Sequence, residues 1–243
     1  MPVLFIAIAA FCSTMLGGAF ALKLRDKLHL ILGFSAGAVV AVAFFDLLPE
    51  ALELGSARYA GATILSITAA GFFTYLLIDR FLLLHTHEHD DEPHAHEHTA
   101  RRGIAGASAL SFHSLLDGIG IGLAFQVSTA VGVIVAAAVL THDFSDGINT
   151  VNMIIKNAGE RARALRWLIV DARAPVLGVA ITMLFAVTDE HLGLLLALFA
   201  GFFLYIGASD LIPESHHRHP AAWTTLSTVL GALVLFIAIK IAG

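Results

Sequence analysis

Long apolar stretches alternate with short polar ones along the whole chain. A helix needs about 20 mostly apolar residues to cross a bilayer. By that measure the sequence predicts eight membrane spans, at residues 2–22, 28–48, 60–84, 103–126, 129–155, 165–187, 191–212 and 221–241. The reading is an all-α, polytopic membrane helix bundle, with residues 1–243 forming one transmembrane domain and no separate soluble unit. Composition agrees: 58% of residues are hydrophobic, 14% are charged, and the mean hydropathy is +0.83. A soluble protein of this size does not need so much apolar sequence. The first stretch lacks the charged leading segment of a cleaved signal, so it is expected to remain as a span. The single cysteine, Cys12, excludes an internal disulfide and a thiolate zinc site.

Charge sets the expected orientation. With the N-terminus outside, the inner side receives Lys23, Arg25, Lys27, Arg80, Arg101, Arg102, Lys156, Arg161, Arg163, Arg166 and Arg218, and the outer side only Arg58 and Lys240. Lys and Arg favour the cytoplasmic side in short loops. Both termini are then outside, and the expected location is the plasma membrane, that is, a bacterial inner membrane.

Two motifs recur. Span 2 ends in Asp46-Leu-Leu-Pro-Glu50 and span 7 in Asp210-Leu-Ile-Pro-Glu214, with Gly37 and Gly201 at the same distance before each Asp. The two copies fall at opposite ends of the bundle, as in an inverted repeat that relates spans 1–3 to spans 6–8 around central spans 4–5. The second motif, H-x-x-x-D-G, occurs at His113–Asp117–Gly118 and at His142–Asp146–Gly147. A spacing of four puts each His and its Asp on one helix face. Ionisable groups in the middle of a span are costly and mark function by default. Asp143 sits beside His142 and can reach the same cavity. Small residues, Gly118, Gly120 and Gly122 in span 4 and Gly132 and Ala136 to Ala138 in span 5, allow the two spans to approach closely. Imidazole with carboxylate suits Zn²⁺, Fe²⁺, Mn²⁺ or Co²⁺ better than Cu⁺, and the two His argue against Mg²⁺ and Ca²⁺. The alternative is a pair of structural His–Asp hydrogen bonds.

Further histidines lie on the predicted inner side. His85, His87, His89, His94, His96 and His98 alternate with acids in a predicted cytoplasmic loop at 85–102. The tract has no apolar residue to nucleate a core and reads as a metal-collecting segment. His216 and His217 follow Glu214, with His219 just beyond. Asp46 and Glu50 would then form an entrance, and Asp210, Glu214, His216 and His217 an exit.

The chain resembles the ZIP (Zrt/Irt-like) family of divalent metal transporters over essentially its whole length. The resemblance rests on the eight spans, the His-rich loop between spans 3 and 4, the two L-P-E-type motifs, and Gly201-Phe-Phe-Leu-Tyr-Ile-Gly207 before the second of them. It implies a primary metal site of His113, Asp117, His142 and Asp146. It also implies a second site involving Ser114, Asp117, Asp143 and Asp146, and a transport group made of spans 1, 4, 5 and 6. The family's paired signatures carry Glu where this chain has Asp117 and Asp146, Asn at Ser114, and Pro at Leu116 and Ser145. Span 6 has Ala174-Pro175 with Asp171 and Arg173 upstream. These departures suggest a single-metal site in which Arg173 stands in for a second cation.

The expected function is uptake of Zn²⁺, or of Fe²⁺, Mn²⁺ or Cd²⁺, into the cytoplasm. An intramembrane metal-dependent hydrolase and a non-transporting metal sensor are the alternatives. The expected partners are the metal ion, the lipid bilayer and, as one option for assembly, a second copy of the chain as a homodimer. No basic-aromatic surface suggests nucleic acid, and no phosphate-cradling loop suggests ATP.

Overall fold

The computed structural model describes residues 2–21, 28–84, 95–156, 160–216 and 222–242. These residues form eight helical rods. Helix α1 is Pro2–Phe20. Helix α2 runs Leu28–Val42, passes through a wide π-turn at Ala43–Leu47 and ends with Leu48–Gly55. Helices α3 to α6 are Gly61–Leu84, Ala95–Val127, Thr129–Lys156 and Arg161–Thr182. Helix α7 runs Asp189–Tyr205, passes through a second π-turn at Ile206–Leu211 and ends with Ile212–His216. Helix α8 is Ala222–Ala242.

Seven of the rods are long and apolar enough to cross a bilayer. Helix α6 is not, because Arg166, Asp171 and Arg173 interrupt it. It begins at Arg161 and stops at Thr182, earlier at both ends than expected. Helix α4 also starts early, at Ala95, so residues 95–102 are helical where a loop was expected. Ala, Glu and Arg in that stretch are strong helix formers.

The bundle carries large apolar side chains outside, with Phe5 and Trp223 each 72% exposed and Leu184 84% exposed. Its interior is rich in small residues such as Ala10, Ala36, Ala136 and Ala138. This distribution marks a multi-pass membrane protein. Lipid tails are as apolar as Leu, so helices associate by close backbone approach at small residues rather than by burying large ones.

Glycines supply that approach in reciprocal pairs. On α1 and α5, Gly17 lies against the Phe144 carbonyl and Gly147 against the Thr14 carbonyl. On α4 and α6, Gly118 meets Pro175 and Gly178 meets Leu115. On α2 and α8, Gly37 meets Thr228 and Gly231 meets Phe34. On α3 and α7, Gly71 meets Leu198 and Gly201 meets Thr68. A Cβ at Gly17 or Gly37 would stand 1.8 Å from a carbonyl oxygen, so any side chain there forces the helices apart.

The pairing has a symmetry. Exchanging α1 with α6, α2 with α7, α3 with α8 and α4 with α5 maps the α1–α5 seam onto the α6–α4 seam, and α2–α8 onto α7–α3. The inverted repeat expected from the two L-P-E-type motifs is therefore visible in the packing. The motifs also match locally, since each Asp lies inside a π-turn just before its Pro. Pro has no N–H to give, and a single wide turn in a helix re-aims its side chains.

The four seams join the rods in pairs, and further glycine contacts join the pairs into two groups: Gly18 against Leu168 and Gly106 against Met153 link α1/α4/α5/α6, while Gly193 against Ala51 and Gly207 against Val40 link α2/α3/α7/α8. Contacts between the groups differ in kind. Ser35 Oγ of α2 donates to the Thr141 carbonyl of α5 at 2.9 Å. The rings of Phe199 and Phe203 on α7 rest against Gly120 of α4. Within the first group, Gln126 Nε2 near the end of α4 donates to the Thr182 carbonyl of α6 and to the Phe185 carbonyl just beyond it, at 2.9 and 3.0 Å, and its Oε1 accepts from the Val187 N–H at 3.1 Å.

Candidate metal centre

The α4–α5 crossing brings together the side chains of both H-x-x-x-D-G motifs. The i, i+4 spacing turns His113 and Asp117 to the same face of α4, and His142 and Asp146 to the same face of α5. The close approach of α4 to α6 at Gly118, and of α5 to α1 at Gly147, fixes those faces inward. Asp117 Oδ2 is the convergence point, 3.1 Å from His113 Nε2 and 3.2 Å from His142 Nε2. Asp146 Oδ2 stands 3.8 Å and 4.0 Å from the same two nitrogens.

Burial is close to complete. Asp117, His142 and Asp143 are 0% exposed, and His113 and Asp146 are buried. Asp117 Oδ1, both oxygens of Asp143 and Asp146 Oδ2 have no hydrogen-bond partner. Taking a carboxylate out of water costs several kcal/mol unless a charge or hydrogen bonds compensate. Two overlapping ligand sets, His113/His142/Asp146 and Asp117/His142/Asp143, each have their donor atoms within 4.8 Å of one another.

The imidazoles carry a second indication. His142 Nδ1 is 3.1 Å from the Ala138 carbonyl and therefore donates its proton there. Its Nε2 faces the Asp117 carboxylate. In the neutral ring that nitrogen has only a lone pair. Two lone pairs aimed at each other need a cation or a second proton between them. His113 Nδ1 is 2.6 Å from the Tyr75 hydroxyl, which stands on α3.

Asp171 of α6 completes the anionic wall, although the sequence pattern alone did not place it at the site. Ser114 Oγ donates to its Oδ1 at 2.8 Å and Thr150 Oγ1 to its Oδ2 at 2.8 Å. Ser114, expected at a second metal site, thus gives its proton to a neighbouring carboxylate. Pro175 cannot donate to the carbonyl of Asp171, one turn earlier in α6. The expectation that Arg173 stands in for a second cation fails. Arg173 is exposed on the outside of the bundle, lining a surface groove with Ile8, Phe11, Val176 and Leu177. Asp171 and Arg173 are two residues apart, a spacing that puts side chains on different helix faces.

A cavity of about 240 Å³ leads away from the centre. His113 and Asp146 lie at one end, the exposed Asp210 and Glu214 at the other, and Tyr75, Asp79 and Asn149 along the wall. Tyr75 and Asp79 are equally inconspicuous in the sequence. Their only signal there is the four-residue spacing that aligns them on one face of α3. Asp46 and Glu50 do not line this cavity. Asp46 is 8% exposed, and its Oδ2 has no hydrogen-bond partner. The repeat-related residues thus differ, with Asp210 open and Asp46 shut in.

His216 does not line the cavity either. Its ring bonds to Thr225 Oγ1 of α8 at 3.1 Å and to the Ile212 carbonyl at 3.0 Å. His217, His85, His87, His89 and His94 lie outside the described residues. His96 and His98 fall on the first turns of α4.

The sequence is similar to those of known proteins. The family model described as ZIP Zinc transporter matches residues 85–239. Zinc transporter ZupT of Corynebacterium aurimucosum is 27% identical, over 93% of both chains. Zinc transporter ZupT of Chlorobium luteolum is 28% identical, over 96% of this chain and 95% of its own. Zinc transporter YKE4 of Saccharomyces cerevisiae is 23% identical over 78% of this chain and 62% of its own. These relatives are named as transporters and not as hydrolases, and the chain itself belongs to the ZIP zinc transporter family.

Proposed function

We propose that the protein carries Zn²⁺ across the membrane through the α4–α5 centre, one ion at a time, with His113, Asp117, His142 and Asp146 as ligands and Asp143 beside them. The observation that carries this reading is the convergence of both Nε2 atoms on a carboxylate buried among three others, with four carboxylate oxygens left without a hydrogen bond. Such a set is costly when empty and favourable around a divalent ion. Imidazole and carboxylate suit Zn²⁺, with Fe²⁺, Mn²⁺ and Cd²⁺ as competitors.

The ion sheds its water shell at the centre and gains it back in the cavity towards Asp210 and Glu214. The cavity contacts His113 and Asp146 while Asp46 at the opposite mouth is closed, which supports an arrangement open to the Asp210–Glu214 side. The distribution of Lys and Arg supports that side as the cytoplasm, so net movement is uptake across the plasma membrane with both termini outside. The α1/α4/α5/α6 group carries the centre, and at its boundary with α2/α3/α7/α8 the glycine contact among the described residues, Gly120, meets the rings of Phe199 and Phe203 rather than backbone. Sliding along that boundary would expose the site to Asp46 and Glu50 instead. The His-rich tract at 85–102 buffers ions on the receiving side.

Metal uptake into proteoliposomes tests this reading, comparing Zn²⁺, Fe²⁺, Mn²⁺ and Cd²⁺ for wild type, His142→Ala and Asp146→Ala. Zinc uptake that disappears in both variants is the expected result. Zinc binding without flux in the wild type would reject transport, and a zinc-loaded structure with two adjacent ions would reject the single-ion site.

A further inference from the structure

The hydroxyl of Tyr75 is bonded to His113 Nδ1 at 2.6 Å, and the two residues belong to different helix groups. Tyr75 stands on α3, His113 on α4. The Tyr75 side chain is fixed from its own side. Its ring packs on Phe202 and Tyr205 of α7, with centroids 5.6 and 5.3 Å away, and α7 is locked to α3 by the Gly71 and Gly201 seams. The residue is only 7% exposed. The other imidazole of the centre has no such link, because His142 Nδ1 is held by the Ala138 carbonyl of its own helix.

We propose that Tyr75 is a positioning residue that holds the His113 imidazole for the metal only while the centre opens towards Asp210 and Glu214. The hydroxyl can donate to Nδ1 or accept from it. It therefore fixes the ring plane both when Nε2–H points at Asp117 and when the Nε2 lone pair binds an ion. Outer-shell partners of metal-bound His orient the ring and tune its affinity. Here that partner is mounted on the opposite group of helices. The bond breaks when the groups slide, so the metal affinity of the centre depends on where it stands in the cycle. The inference rests on the proposed two-group transport reading, but its test needs only binding.

The experiment is equilibrium Zn²⁺ binding by calorimetry on the purified full chain. Tyr75→Phe removes only the hydroxyl and is expected to raise Kd about tenfold or more. Ser227→Ala is the control. It loses a bond to the Leu30 carbonyl, 2.8 Å long, that joins α8 to α2 away from the centre, and Kd is expected to stay within about twofold. In a His113→Ala background, Tyr75→Phe is expected to have no further effect, because the hydroxyl acts through that ring. A Kd unchanged in Tyr75→Phe would overturn the proposal. So would an equal loss in the His113→Ala background, which would mean a general loss of structure. Zinc binding that depends on Tyr75 in a protein that moves no zinc would sink the transport reading and the dependence on the cycle, and leave the positioning of His113 by Tyr75 standing.

Discussion

Replacing Asp143 with Asn should make the empty protein more stable and its zinc complex weaker. Asp143 is 0% exposed and neither of its oxygens has a hydrogen-bond partner. One of them lies within 4.8 Å of an Asp117 oxygen. Two unit charges at that spacing repel by about 3.5 kcal/mol at an effective dielectric of about 20. Protons taken up by the empty centre relieve part of this, so the gain from Asp143→Asn is about 1 to 3 kcal/mol. At about 2–4 °C per kcal/mol for a chain of this length, melting without metal should rise by roughly 2 to 12 °C. The stabilisation gained from zinc moves the other way. Free zinc at about 100 times Kd stabilises the wild type by about 2.7 kcal/mol. Losing a carboxylate at the edge of the ligand set should raise Kd about tenfold and remove about 1.4 kcal/mol of that increment. The assay is thermal unfolding in detergent with and without Zn²⁺. A lower melting temperature of the metal-free variant would refute the reasoning, because it would mean that Asp143 is a structural partner. An unchanged zinc increment would refute it as well.

Two further outcomes follow from the packing and the cavity. A Cβ at Gly147 would stand 2.0 Å from the Thr14 carbonyl oxygen, so Gly147→Val forces α1 and α5 apart; the expected result is loss of the folded, monodisperse protein on size exclusion, while Leu233→Val on the exposed face of α8 is tolerated. Glu214→Gln and His216→Ala should differ in flux assays. Glu214 lines the cavity, so its loss should lower maximal zinc flux severalfold, whereas His216 is tied to Thr225 and its loss should leave flux within about twofold.

Much of this architecture was legible along the chain, for identifiable reasons. Bilayer-length apolar runs gave the helices, because a span must satisfy its own backbone and leaves a one-dimensional signature. His113, Asp117, His142 and Asp146 were legible because each pair sits four apart on one helix and the pattern occurs twice. The repeat of Asp46 and Asp210 before Pro was visible too, but not its meaning, since π-turns have no pattern of their own. What could not be read was anything that depended on which face of one helix meets another. Asp171 and Arg173 are near neighbours in sequence, yet only the first faces the centre. Tyr75 is one aromatic residue in an apolar span, and its value comes from a histidine 38 positions away. The early start of α4 reflects local propensity, which outweighed the polar character of residues 95–102.

The three bonds of Gln126 have a mechanical consequence. In the order of the described helices, one group gives way to the other after α1, after α3 and after α6. In the last of these, Gln126 fastens the residues that follow α6 to the end of α4 as far as Val187. That stretch cannot serve as slack. If the groups move, the hinge falls at Thr188, whose φ of −70° and ψ of 149° make it the extended residue just before α7. The reach of the stroke at that end is then set by one residue rather than by a floppy loop, and a longer linker inserted after Val187 would loosen it.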